Sequence, residues 1–301
     1  HYHIFMTMKT DLNLQEIIST SIREAVTGPY AHDVNISVGL EKLNSSVPVI
    51  IYHHFPTESD VYHPASLIKL FNAYLAKHKL QTGATHLLNE HLRGSNTFGQ
   101  KTHMDDVYDA IDAALRLSDN DALSYLMDFN SGACSGPRLD AAEFALFKRD
   151  RNSISEFFRN KPGYSKSLNI PGKCFSFAPY GREVQLSLEE GGLGRNSMVI
   201  TDAVQVMKDI IRDYPELLQS IRRKIDNPAD EQCQFIAKGL VPHQEQISYY
   251  ASKAGWTSKV RHDVAYFKTQ SEEEYILVIM TRGLSEYTEL IPSISRKAQN
   301  I

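Results

Sequence analysis

The chain has 301 residues, 42% of them hydrophobic, which is enough to bury a sizeable core as one large domain or two closely packed ones. A net charge of −4, a pI near 6.3 and the lack of any long basic run argue against a nucleic-acid surface. The longest apolar runs, such as YILVIM, are far too short to span a bilayer.

Arg151, Arg159 and the basic run 222–224 read as solvated helix faces. Cys134, Cys174 and Cys233 allow at most one disulfide, and neither they nor the scattered histidines have metal-ligand spacing. No metal and no cofactor are expected. The opening HYHIFMTMKTDL lacks the extended apolar stretch of a signal peptide, so the residues leave the compartment unassigned.

In chain order, residues 12–27 carry apolar positions at helical spacing. NISVGLEKL and VPVIIYHHF then read as two strands around the turn NSS. His53 and His54 are neighbours on the second strand and should point to opposite faces. From 64 to about 240 the pattern is helical, interrupted by loops at 93–103, 130–138 and 161–197. The last is rich in Gly, Pro and aromatic residues, and a loop of that length is either functional or disordered. ISYYASKAGWT, RHDVAYFKT and EYILVIMTRG read as three more strands, followed by a helix near 285–298.

The expected fold is α/β (α+β), with a five-stranded antiparallel sheet built from both chain ends. Terminal helices and a large all-helical block flank it. Residues 12–63 and 241–298 would form the sheet domain and 64–240 the helical domain, with the active site at their interface.

Within HPASLIKLF, residues 63–71, Lys69 sits among apolar neighbours three residues after Ser66. A helix beginning near Pro64 places the two side chains on one face and Ser66 near the positive end of the dipole. Burial disfavours a charged amine, and a neutral amine beside a hydroxyl is a base beside a nucleophile. A capping serine with a snorkelling lysine would give the same four letters. Ser118-Asp119-Asn120 begins a second apolar helical run and would also suit a helix cap. Lys253-Ala254-Gly255 lies on the first late strand, where an exposed lysine before a bulge glycine is the plain alternative.

Each motif is short, but their order is specific. S-x-x-K, then S-D-N about fifty residues on, then K-x-G on a strand after the helical block resembles the class A β-lactamases and related penicillin-binding serine hydrolases. The similarity extends over roughly residues 12–298 and is weakest at 131–195. It implies a covalent acyl intermediate on Ser66, with Lys69 taking or priming its proton. Ser118 would pass a proton to the leaving nitrogen, and Asn120 would hold Lys69 and a substrate amide. Lys253 would face an anionic carboxylate, and the amides of Ser66 and of Trp256, next to Gly255, would form the oxyanion hole. The implied partner is a small β-lactam or peptidoglycan-like substrate, the implied state a monomer, and the implied place the periplasm or exterior.

The sequence departs from that family pattern at two places. Ala254 stands where the family carries a hydroxyl that helps to hold the carboxylate, so Ser252, Thr257 or Arg261 would have to serve. No E-x-x-L-N string supplies a deacylating glutamate. Glu183, in the long loop, is the best-placed candidate, with Glu156 poorer because its surroundings read as a helix. The run EEGGLGRN at 189–196 lacks the frame of a phosphate loop and reads as a hinge. β-Lactam hydrolysis leads the expectations, followed by D,D-peptidase or esterase activity. A penicillin sensor that acylates without turnover, or an inert scaffold, are the competing classes.

Overall fold

A computed structural model describes residues 11–26, 33–55, 59–83, 106–176, 178–283 and 286–298. The expected loop at 93–103 lies outside them. The described chain forms two compact units. One takes in residues up to 67 together with 199–207 and the chain from 221 onward; the other comprises 68–198 and 208–220.

The first unit is a five-stranded antiparallel sheet in the order β2-β1-β5-β4-β3. Its strands are β1 (Asn35–Lys42), β2 (Ile50–His54), β3 (Ile247–Trp256), β4 (Val260–Thr269) and β5 (Glu274–Arg282). Both chain ends therefore supply strands, as the alternation of apolar runs predicts. The YILVIM segment is β5, the central strand, and it is buried along almost its whole length. That accounts for its unbroken apolar run. β2 begins only at Ile50, three residues later than the composition indicates.

Helix α1 (Asp11–Ala25) packs Leu14, Ile17, Ile18 and Ile22 into the core beneath the sheet. Helix α10 (Leu290–Lys297) adds Leu290, Ile291 and Ile294 to the same core, which β1 meets with Ile36, Val38 and Leu40. Both helices show the three-and-four spacing of a half-buried helix. A methyl added at Gly39 on β1 would stand 3.1 Å from Ile51, 3.2 Å from Val204 and 3.4 Å from Ile200, so a larger residue there would press on β2 and on the start of helix α7 (Ile200–Asp213).

The second unit centres on α2 (Ile68–Gln81), which buries every residue from Ile68 to Lys77. A helix buried on all sides belongs in a core, even with Lys69, Asn72 and Lys77 among its buried residues. Around it lie α3 (Val107–Arg116), α4 (Asn120–Ser131) and α5 (Ala141–Arg159). Phe71 meets Phe158 edge-on at 5.1 Å, and Phe158 meets Tyr164 at 5.3 Å. The stretch 161–197 is not wholly loop: it contains the short helix α6 (Arg182–Ser187) and a 3-10 turn at Glu190–Gly192. The short helix α8 (Leu218–Ile221) ends this unit, whereas α9 (Ile236–Leu240) belongs to the first unit and adds Ile236, Ala237 and Leu240 to its core.

Candidate active site

Ser66 sits in a single 3-10 turn, Ala65–Leu67, that runs directly into α2. Ala65 ahead of it adopts φ 50°, a left-handed conformation costly for a side-chain-bearing residue. The surrounding unit fastens this segment tightly. Arg282 donates to the carbonyls of Val61 (2.7 Å) and Ser59 (3.0 Å), and Tyr62 shares a hydrogen bond with Ser37 at 2.9 Å. His262 on β4 contacts the carbonyl of His63 through Nε2 at 2.8 Å, and its Nδ1 accepts from Thr281 N at 3.1 Å. Because Nδ1 accepts an amide hydrogen, Nε2 carries the ring proton and donates to His63. Burial lowers the His262 pKa to about 4, so the neutral tautomer persists.

β3 reaches the same turn backbone to backbone. A methyl at Gly255 would stand 2.7 Å from the Ser66 amide nitrogen, 3.0 Å from that of Leu67 and 3.1 Å from the Pro64 carbonyl. Only glycine admits that approach. The bulge reading of Gly255 is corrected: its register is unbroken, with Gly255 opposite His262 and Trp256 opposite Arg261.

Lys253 is completely buried rather than exposed, and its Nζ donates to the Ala254 carbonyl at 2.5 Å. Ala254 points to the opposite face, in the apolar core with Tyr250, and strand alternation puts Ser252 on that face too. The Thr257 hydroxyl accepts the amides of Lys259 and Val260 in the hairpin turn. Of the three residues considered as substitutes for the missing hydroxyl, Ser252 thus faces the core and Thr257 is engaged in the hairpin turn, which leaves Arg261. Its guanidinium lies 4.4 Å above the Phe235 ring, which also meets the part-exposed Trp256 at 5.4 Å.

In the helical unit, Lys69 is fully buried and donates from Nζ to the Ser118 carbonyl (2.7 Å), the Ser118 hydroxyl (2.9 Å) and Asn120 Oδ1 (2.7 Å). Desolvation lowers its pKa, opposed by the nearby Cys174 and Asp119. The snorkelling alternative is thereby excluded. Ser118 links α3 to α4 at φ 55°, another left-handed residue, and this sharp reversal presents its carbonyl and hydroxyl to one amine. Asp119 caps α4 through the Ala122 amide at 2.8 Å, so the cap and the site use adjacent residues of one motif. Asn120 Nδ2 donates in turn to Ser176 Oγ at 2.9 Å.

Glu183 does not stand on a loop facing water. It occupies the first turn of α6 and is buried, with its two carboxylate oxygens bonded by Arg151 at 2.7 and 2.9 Å. Burial alone would raise its pKa, but the charge and hydrogen bonds of Arg151, with Lys173 and Ser135 adding to them, hold it below the ordinary range. Arg151 is likewise no solvated helix face: it is fully buried, and it also donates to the carbonyls of Ala133 and Pro171. Lys173 pairs with Asp128 at 2.7 Å, with neither side chain exposed. Arg223 of the basic run is also buried, with Asp230 at 3.4 Å. Glu156 lies on α5, as its sequence context predicts.

Residues 200–301 match the model described as the β-lactamase enzyme family. No curated protein sequence matches the chain. A class A β-lactamase from Mycobacterium abscessus superposes with a TM-score of 0.59 at 17% identity, covering 96% of this chain and 98% of that one. This is a β-lactamase-like fold. A β-lactamase from Xanthomonas campestris pv. campestris gives 0.65 at 13% identity over 96% and 97% of the two chains. PBP-A gives 0.57 at 15% identity over 95% of each.

Among the described residues, no helix is long and apolar enough to cross a membrane, and no cluster of three metal-ligating side chains occurs. The sequence pattern did not reveal Ser176, His262 or Arg282. For His262 a faint signal existed, since pairing β3 with β4 across the hairpin puts it opposite the K-x-G glycine. Ser176 gave none.

Proposed function

We propose that this β-lactamase-like protein is a serine acyl-transfer hydrolase that opens a β-lactam or a related amide through an acyl-Ser66 intermediate. The carrying observation is Lys69, a buried amine of depressed pKa three residues after Ser66, bonded to the side chains of Ser118 and Asn120 in the S-D-N motif. In its neutral form Lys69 would keep its donations to the Ser118 carbonyl and Asn120 Oδ1, and its lone pair would take the Ser66 proton as the hydroxyl oxygen attacks the carbonyl carbon. Ser118 would give its proton to the departing nitrogen and recover one from Lys69, 2.9 Å away, which leaves an ester on Ser66 and both groups as they began. The amides of Ser66 and Trp256 would hold the oxyanion, a role supported by the glycine-only approach of β3 to the Ser66 turn. Arg261, with Lys253, would attract the substrate carboxylate in place of the hydroxyl missing at Ala254.

Release of the acyl group is a separate matter, and one observation favours slow release. Glu183 offers a carboxylate of lowered pKa already committed to Arg151, a poor base for activating water. The second reading is therefore a penicillin-binding protein that acylates readily and turns over slowly. A fold neighbour, a mutant form of PBP-A, is itself described as an acyl-enzyme complex with penicillin G.

Nitrocefin hydrolysis measured beside intact mass after incubation with benzylpenicillin tests both readings. Hydrolysis supports the hydrolase, and a lasting adduct without hydrolysis supports the slow form. Neither adduct nor hydrolysis would reject acyl transfer on β-lactams.

A further inference from the structure

We propose that Ser176 is a positioning residue that holds the Asn120 carboxamide in the orientation that acyl transfer requires, an inference that rests on the acyl-transfer reading above. Asn120 is the first residue of α4, so its backbone is set by the Asp119 cap and its side chain retains two torsions. Each end of that side chain is bound. Oδ1 accepts from Lys69 at 2.7 Å, and Nδ2 donates to Ser176 at 2.9 Å. Lys69 fixes which way round the amide lies, because a flipped amide would set N–H groups against the amine's own hydrogens. Ser176 fixes the plane of the amide, and one N–H then remains to meet a substrate carbonyl.

The segment that carries Ser176 is fastened in a way its sequence does not show. Asn169 and Ser197 exchange backbone hydrogen bonds at 3.0 and 2.7 Å, and Gly172 exchanges two with the Asn196 side chain, both 2.8 Å. Arg151 holds the Pro171 carbonyl at 3.0 Å. Lys173, three residues ahead of Ser176, bonds Ser135 at 2.6 Å besides its buried pair with Asp128. The buried charges in this part of the unit thus hold a segment whose far end brings a hydroxyl to Asn120.

The test compares Ser176→Ala and Ser176→Thr with the unmodified protein. Acylation is followed by intact mass with benzylpenicillin, which carries an acylamino carbonyl, and with 6-aminopenicillanic acid, which lacks one. Ser176→Ala should slow acylation by benzylpenicillin about fivefold, the worth of one hydrogen bond. Its rate with 6-aminopenicillanic acid should change less than about twofold, and Ser176→Thr should restore the first rate.

The second readout needs no substrate: the Asn120 side-chain amide signal in NMR should lose its slowed hydrogen exchange in Ser176→Ala and regain it in Ser176→Thr. Equal slowing with both substrates, or an Asn120 signal indifferent to Ser176→Ala, would overturn the proposal. Should the unmodified protein fail to acylate with either compound, the acyl-transfer reading falls. The NMR comparison would then decide by itself whether Ser176 holds Asn120.

Discussion

The turn that carries Ser66 and the segment that carries Glu183 are both short, and both were singled out from sequence, yet they came out differently. Around Ser66 the informative relation is local. A spacing of three residues between Ser66 and Lys69 is what a helical turn would need to bring them together, and the apolar neighbours of the lysine foretell its burial. Around Glu183 the decisive relation is with Arg151, 32 residues away, and that pairing turns a surface-looking carboxylate into a buried clasp. Motif spacing locates groups that a helix brings together. It does not identify charges that meet only when separate helices pack.

Ser66→Ala should break the first side of that comparison outright. Intact mass should show complete loss of penicillin labelling with an unchanged melting temperature, since the substitution removes one oxygen. Labelling that persists at another residue would reject Ser66.

On the other side, Glu183→Gln removes the carboxylate charge bonded to the buried Arg151, so chemical denaturation should report a loss of about 3 kcal/mol or more. Acyl-enzyme accumulation, compared at a temperature where the variant stays folded, should match the unmodified protein. An unchanged stability with a strongly accumulated adduct would restore Glu183 as the water-activating base. Gly255→Ala tests the approach of β3 to the nucleophile turn. Its added methyl must push the Ser66 amide from its place, and acylation should fall by about 100-fold, as when one oxyanion donor is lost.

The smallest effect concerns two buried neighbours on β4 whose titrations oppose each other. Burial raises the Asp263 pKa to about 7 and lowers that of His262 to about 4. With its folded pKa raised, Asp263 takes up protons on folding, so its contribution favours the folded state at low pH and declines as pH rises from 3.8 toward 7. His262 has a depressed pKa, so its contribution is complete above its ordinary 6.5 and is lost as pH falls toward 4. Between these limits the two slopes nearly cancel. Asp263→Asn should therefore give a stability that rises with pH by about 1 kcal/mol per unit over the window, and His262→Gln one that falls. Denaturation midpoints measured across pH 4 to 6.5 would show both slopes, and a flat profile in Asp263→Asn would refute the assignment.

The sequence by itself determined the order of the five strands along the chain, a terminal helix at each end with a helical block between the strand groups, the antiparallel sheet drawn from both chain ends, and the three motifs that single out Ser66, Lys69, Ser118, Asn120, Lys253 and Gly255. Those features rest on short-range periodicity, on turn chemistry and on the order of motifs along the chain. The tertiary structure alone decided that Lys253 is buried, that Ser252 and Ala254 face the apolar core, and that His262 holds the carbonyl of His63. It alone placed α6 inside the apparent loop, closed Arg151 on Glu183 and brought Ser176 to Asn120. In each of these the partners come from distant parts of the chain or from the facing of a strand within its sheet. A buried ion pair leaves no periodic trace in composition: Arg and Glu read as surface residues until the packing that desolvates them also supplies their partners.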